Sequence, residues 1–272
     1  MGYQIDGVAI ITGAGSGIGK ACALAYASEG ARGLVIADLN QTAALNTARE
    51  CDSLATNKDH KSLAISVDVT DPASVTTMVQ TAVDAFGRID YSVHSAGIGI
   101  QQHRPVDEVS LDEMDRFWRV NVVGTFNCVQ AVTRVMKHQD VATVKDRTGQ
   151  AREVGRGSIL NVGSCNSYIP VPGILPYTTA KHAVLGLTRN AALDSAPYKI
   201  RVNAICPGWV ETPMLSAAGG LPESTTNKIP MSRVAQTGEI ADVVLFMNSP
   251  GAAYVTGVGW IVDGGMTLQL QT

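Results

Sequence analysis

The sequence predicts an α/β protein, a doubly wound parallel sheet of about seven strands in a single domain. Three observations point there. Short runs of apolar, β-type residues alternate with helical stretches along the whole chain. Those runs are continuously apolar, which fits strands buried on both faces by crossover helices. The first run ends in a glycine cluster that opens a helix, and right-handed crossovers from such a start give a doubly wound sheet.

Residues 8–11 form the first strand, and residues 18–29 the first helix, with Gly30 as its stop. Residues 34–37 form the second strand, which ends at Asp38, and residues 41–54 read as a helix. The third strand, 62–67, is closed by Asp68. The helix over 74–86 puts Val75, Val79, Ala82, Val83 and Phe86 on one face. Residues 89–94 are the fourth strand, and 111–136 a long helix or a helix pair. Then follow a strand at 158–162, a helix at 177–196, a strand at 200–205 and a last strand at 258–262. No linker divides residues 1–272, so one domain is expected. Residues 138–156 are polar and basic with no apolar period. They read as a surface insertion with Lys145, Arg147, Arg152 and Arg156 solvated. Residues 209–233 mix Pro, Gly, Ser and Thr with few apolar residues and read as a mobile substrate flap.

The chain has 272 residues, 45 % hydrophobic and 17 % charged, enough apolar material for a large core and too much for disorder. Its net charge of −3, with no basic cluster, argues against nucleic acid as a partner. No apolar run is long enough to span a membrane. Neither a secretory leader nor myristoylation is expected, since Asp6 stands where the latter needs Ser or Thr. Cys22, Cys51, Cys128, Cys165 and Cys206 lie far apart, the pattern of reduced thiols in a cytoplasmic protein. The five histidines are scattered as well, so no metal site is expected.

Thr12-Gly13-Ala14-Gly15-Ser16-Gly17-Ile18-Gly19 follows the first strand and opens the first helix. Glycines there permit a tight turn and remove the Cβ atoms that would block a pyrophosphate, while the helix start offers free N–H donors. Asp38 stands about 20 residues further on, where a carboxylate accepts from ribose hydroxyls. It would repel a ribose phosphate by about 4 kcal/mol per unit charge at about 4 Å and an effective dielectric of about 20. The next residue is Leu39 and not a cation, so NAD is expected over NADP. Asp68, with Val69 beside it, is placed to accept from the adenine amino group, or serves as a turn or capping residue.

Tyr177 and Lys181 are four residues apart on one helix and share a face. A phenol with a pKa of about 10 is a poor base near neutrality, and a neighbouring ammonium lowers that value. Ser164 lies just past the fifth strand, at the carboxyl edge where ligands bind, and can hold a substrate oxygen beside Tyr177. Ser167 competes for that role.

With these motifs in order, the sequence resembles the short-chain dehydrogenase/reductase family over essentially its whole length. The resemblance rests on Thr12–Gly19, Asp38, Asp68-Val69, Ala96-Gly97, Asn121, Ser164, Tyr177 through Lys181, Arg201-Val202-Asn203, Pro207-Gly208 with Thr212, and Asp263-Gly264-Gly265. It implies a Rossmann-type fold and reversible hydride transfer between a nicotinamide cofactor and a secondary alcohol or ketone. Tyr177 would be the general acid/base, and Ser164 would orient the reacting oxygen. Lys181 would lower the tyrosine pKa and hold the nicotinamide ribose, and Asn121 would position a water in a proton relay. Ser95, Ala96, Gly97, Pro207, Gly208, Val210 and Thr212 would line the cofactor path. The family's usual Asn-Asn-Ala-Gly appears here as His94-Ser95-Ala96-Gly97, which alters the local amide network and makes His94 a structural residue. The resemblance also implies a homodimer or homotetramer packed through the helices at 111–136 and 177–196. With Asp38 selecting NAD, alcohol oxidation is the expected direction. Trp209, Val210, Met214 and Leu215, with Ile169, Val171 and Ile174, point to an apolar or cyclic substrate. The alternatives are an NADP-dependent ketoreductase, a dinucleotide-sensing protein without turnover, and a structural subunit.

Overall fold

The computed structural model describes Tyr3 and residues 5–268. The first half alternates strand and helix: β1 (Val8–Thr12), α1 (Gly17–Ser28), β2 (Gly33–Asp38), α2 (Gln41–Leu54), β3 (Lys61–Ser66), α3 (Pro72–Phe86) and β4 (Tyr91–His94). After β4 come α4 (Leu111–Phe117), a π-helical turn (Trp118–Val123) and α5 (Gly124–Met136). The insertion holds β5 (Ala142–Lys145) and β6 (Ala151–Gly155), and the sheet resumes with β7 (Gly157–Val162), α6 (Leu175–Ser195) and β8 (Ile200–Pro207). Two short helices, α7 (Pro213–Ala217) and α8 (Glu223–Thr226), precede α9 (Thr237–Asn248) and β9 (Gly259–Val262).

Seven strands form one parallel sheet in the order β3-β2-β1-β4-β7-β8-β9. The chain winds outward in both directions from β1, which pairs with β2 on one side and β4 on the other. Alternate residues of each strand face opposite layers. Ala9 and Ile11 join the core under α1 and α9, and Ile10 and Val35 join the core under α3, α5 and α6. A crevice therefore opens beyond the carboxyl ends of β1 and β4, where the winding reverses.

Helix starts and stops follow local chemistry. Asp71 caps α3 by accepting from the Ala73 N–H at 2.9 Å, and Pro72 fills the first turn, so this helix begins two residues before residue 74. Gly30 takes a left-handed φ of 99° just past α1, as a stop requires.

Over 111–136 the alternative of a helix pair holds, with α4 and α5 joined through the π turn, which ends at Gly124. One element differs from the sequence expectation. The 138–156 insertion is an ordered antiparallel hairpin. Ala142 and Val144 of β5 are half-buried and alternate with exposed Thr143 and Lys145, and most of β6 is exposed, so the apolar period is too short to stand out. Its turn is built by Asp146, whose carboxylate accepts from Thr148 and Gln150 N–H at 2.8 and 3.0 Å, and by Gly149 at φ 84°. Its basic residues are not uniformly solvated. Arg152 donates to the Pro250 carbonyl at 2.8 Å, and the Arg156 Nε is buried.

Candidate active site

Between β1 and α1 the backbone turns through Gly13 and Gly17, both at positive φ (66° and 54°). A Cβ on Gly13 would stand 2.7 Å from the Ala96 nitrogen, and one on Gly15 would stand 2.8 Å from both Ala43 Cβ and the Asp38 carboxylate. Ser16 precedes α1 without a side-chain cap, and the first turn holds no acid. A helix start of this kind leaves N–H donors and a partial positive charge facing the cleft. Such a cradle fits a pyrophosphate, and a side chain on the turn would fill it. Asp38 braces the turn: its two oxygens accept from the N–H groups of Gly15 and Asn40, each at 2.9 Å. Each carboxylate oxygen retains capacity for a further donor.

The cleft that begins here has a volume of about 1070 Å³. Gly13, Ser16, Gly17, Ile18, Asp38, Leu39, Asp68, Val69 and the backbone of Ser95, Ala96 and Gly97 line one end. Leu39 is exposed beside Asp38. Asp68 commits one oxygen to the Thr70 N–H and hydroxyl at 2.9 and 2.7 Å, which makes it a turn residue as well as a lining one. Val162, Ser164, Tyr177, Lys181, Pro207, Gly208, Val210 and Thr212 line the middle.

Two expected cofactor or relay residues do not line the cleft. Gly19 sits behind the turn, where a Cβ would collide with the Gly13 carbonyl, so its bareness serves helix–strand packing. Asn121 lies in the π turn. Its Oδ1 accepts from the Ile98 N–H at 2.8 Å and its Nδ2 donates to the Ile98 carbonyl at 3.0 Å. The side chain thus clamps the loop after β4, a task that spacing alone did not reveal.

Ser164 lies two residues past the end of β7 and caps a short 3-10 turn at Cys165–Ser167. Its Oγ accepts from the Asn166 N–H at 3.1 Å. Ser167 is buried away from the cleft. Its hydroxyl donates to the Lys181 carbonyl at 2.7 Å and accepts from the Ser164 N–H at 3.2 Å, so it ties the turn to α6 and leaves Ser164 at the surface of the cleft. The Tyr177 ring meets Phe117 edge-on at 6.3 Å. Lys181 Nζ donates to the Val162 carbonyl at 2.8 Å and lies 5.6 Å from the Tyr177 ring centre.

Burial dominates the charges of this pair. It pushes the Tyr177 phenol up to about 12, partly offset by the Ser164 hydroxyl, and pulls Lys181 down to about 8. The expected lowering of Tyr177 by Lys181 is absent from this arrangement, because the ammonium is directed to a backbone carbonyl and desolvation outweighs it.

Behind the cleft His94 is fully enclosed. Its Nδ1 lies 2.8 Å from Asn161 Oδ1 and its Nε2 2.8 Å from the Ser92 hydroxyl. Asn161 then donates to Thr188 of α6 at 2.9 Å. The amide oxygen can only accept, so Nδ1 carries the hydrogen and Nε2 accepts from Ser92. Burial pulls His94 down to about 4, which keeps it neutral. This chain of bonds replaces an asparagine network and joins β4, β7 and α6.

The other end of the cleft is walled by Ile100, Ile169, Val171, Ile174, Trp209 and Met214, among others. Met214 packs on Gly99, and Thr212 faces Gly17, so the segment around α7 bridges two loops of the cleft. Asn166, Gln101, His103 and Lys228 also line it and were not singled out from sequence. Asn166, two residues past Ser164, was within reach of the spacing argument. Among the described residues no cluster of His, Cys, Asp and Glu could hold a metal ion, and no helix is long and apolar enough to cross a membrane.

The family model described as enoyl-(acyl carrier protein) reductase matches residues 13–267. The chain is 64 % identical over 276 residues to the short-chain dehydrogenase anuF of Penicillium roqueforti, covering all of both chains. It is similar to a solved short-chain type dehydrogenase/reductase from Mycobacterium marinum, with 30 % identity, 98 % of each chain covered and a TM-score of 0.85. It is also similar to a 3-ketoacyl-(acyl-carrier-protein) reductase from Brucella melitensis complexed with NADH, with 31 % identity, 97 % of this chain and 100 % of that one covered and a TM-score of 0.82.

Proposed function

The chain belongs to the short-chain dehydrogenase/reductase family of nucleotide-binding oxidoreductases, and from that premise we propose that it interconverts a secondary alcohol and its ketone, with NAD as the preferred dinucleotide. The observation that carries this reading is that Ser164, Tyr177 and Lys181 line the same cleft as the uncapped start of α1. Gly13, Ser16, Gly17 and Ile18 would hold the pyrophosphate, and Asp38 the adenosine ribose. Lys181, Pro207, Gly208, Val210 and Thr212 would meet the nicotinamide half. When bound, the nicotinamide supplies the hydride acceptor or donor and, oxidised, a positive charge.

Tyr177 passes a proton to or from the substrate oxygen, and Ser164 donates a hydrogen bond to that oxygen. Lys181 is a buried cation beside the ring and would hold the nicotinamide ribose hydroxyls. Asn121 holds the loop after β4 in register with this group, and the relay water implied for it by resemblance would sit at the π turn. Residues 209–233 act as the substrate flap, supported by the contact of Met214 with Gly99. The apolar wall favours an apolar or cyclic substrate.

Asp38 beside the uncharged Leu39 supports NAD over NADP, and so does the NADH carried by the Brucella relative. The same preference favours alcohol oxidation as the working direction. Five buried free cysteines fit a reducing cytoplasm. A homodimer or homotetramer through α4–α5 and α6 is supported by the exposure of Leu111, Trp118, Phe126 and Leu193 on those helices.

The test is a nicotinamide absorbance assay over cyclic and aromatic secondary alcohols and ketones, run with both dinucleotides. Turnover with NAD(H) at a kcat/KM above that with NADP(H) is expected. A strong NADP(H) preference would reject the role given to Asp38, and binding without any turnover would reject the redox role.

A further inference from the structure

We propose that Asn166 is a specificity-determining residue that binds a second oxygen of the substrate, so that the preferred substrate is a ketone or alcohol carrying another oxygen close to the reacting carbon. This rests on the reading of Ser164 and Tyr177 as the pair that meets the reacting oxygen.

Asn166 is 9 % exposed and lines the cleft. Its partners fix which way the amide faces. Nδ2 donates to the Ile169 carbonyl at 3.2 Å, so Oδ1 is the end turned to Ser164, whose hydroxyl lies 3.4 Å away. An amide can donate twice and accept twice. One Nδ2 hydrogen therefore has no protein partner in a pocket whose walls are Ile169, Val171 and Ile174. A buried donor left unpaired is costly, and a ligand oxygen relieves it. That donor belongs to the same amide group that touches the Ser164 hydroxyl, so an oxygen it receives lies near the one Ser164 receives. The remaining polar side chains at this end, Gln101, His103 and Lys228, are exposed, and His103 Nδ1 also lies 3.3 Å from the Pro172 carbonyl. The long contact from Ser164 to Oδ1 also leaves the serine hydrogen free to turn toward substrate.

The test compares wild type with Asn166→Leu on a monoketone and the β-diketone of the same carbon skeleton. The readout is the ratio of kcat/KM for the diketone to that for the monoketone within each enzyme. Any disturbance of Ser164 affects both substrates and cancels in that ratio. The intrinsic reactivity of the two ketones cancels between enzymes. The ratio is expected to fall about tenfold in Asn166→Leu, carried by KM more than kcat. A ratio within about twofold of wild type overturns the assignment. Should the leucine variant fail to bind NADH, Asn166→Ala takes its place with the same expected fall. If wild type binds NADH but reduces neither ketone nor any other member of a carbonyl panel, the redox reading itself falls, and the role of Asn166 with it.

Discussion

His94 shows how one departure from a familiar motif is absorbed. The ring is neutral inside the fold because burial holds it at about 4, against 6.5 in the unfolded chain. A depressed value of this kind means that the unfolded chain takes up a proton first. The stability is therefore present above the unfolded value and is lost as pH falls from 6.5 toward 4. Its full extent is about 3 kcal/mol. Denaturant midpoints measured between about pH 7 and about pH 4.5 are expected to fall for wild type and to fall much less for His94→Asn; parallel curves would contradict this. A second outcome belongs to Tyr177, held as the neutral phenol by burial. Initial rates of alcohol oxidation should rise with pH and those of ketone reduction should fall, and profiles of the same sign in both directions would contradict it. The sequence made Ser164, Tyr177 and Lys181 legible because short spacings on one helix and one strand end carry them. The partner of Lys181, the Val162 carbonyl, was not legible, since it is set by how α6 lies on β7.

At the scale of elements, the turn from β1 into α1 was readable because its demands are local. Positive φ and close approach both call for glycine, and the glycines stand where these occur. Gly13→Ala would place a left-handed alanine at a cost of about 1–2 kcal/mol and push on the Ala96 backbone 2.7 Å away. The expected result is a NADH dissociation constant raised by at least about tenfold, measured by fluorescence titration; unchanged affinity would mean that the dinucleotide does not lie on this turn. The π turn was not readable. No spacing in its residues marks the widening, and Asn121 within it clamps Ile98 by two bonds, a contact 23 residues apart in sequence. The hairpin at β5–β6 was missed because the alternation of half-buried Ala142 and Val144 with exposed Thr143 and Lys145 spans only four residues.

For the whole molecule, the apolar strand runs and helix spacings were enough to indicate a seven-stranded, doubly wound sheet, because burial on both faces constrains composition everywhere along it. Assembly is less constrained by sequence, since an interface and a solvated surface differ only once the helices are packed. Trp118 and Phe126 remain 44 % and 47 % exposed on the helices proposed to pair. Light scattering should report a dimer or tetramer for wild type and a smaller species for Trp118→Asp combined with Phe126→Asp; a monomeric wild type would remove the interface. The fold's purpose in this account is to bring the phosphate turn, at one end of the crevice, and the face of α6, at its middle, to a single reaction site. The most direct measurement is Tyr177→Phe, assayed for both NADH binding and turnover. Binding is expected to stay within about threefold of wild type and turnover to fall by at least about a hundredfold. Turnover retained within a few-fold would contradict it, whatever the binding.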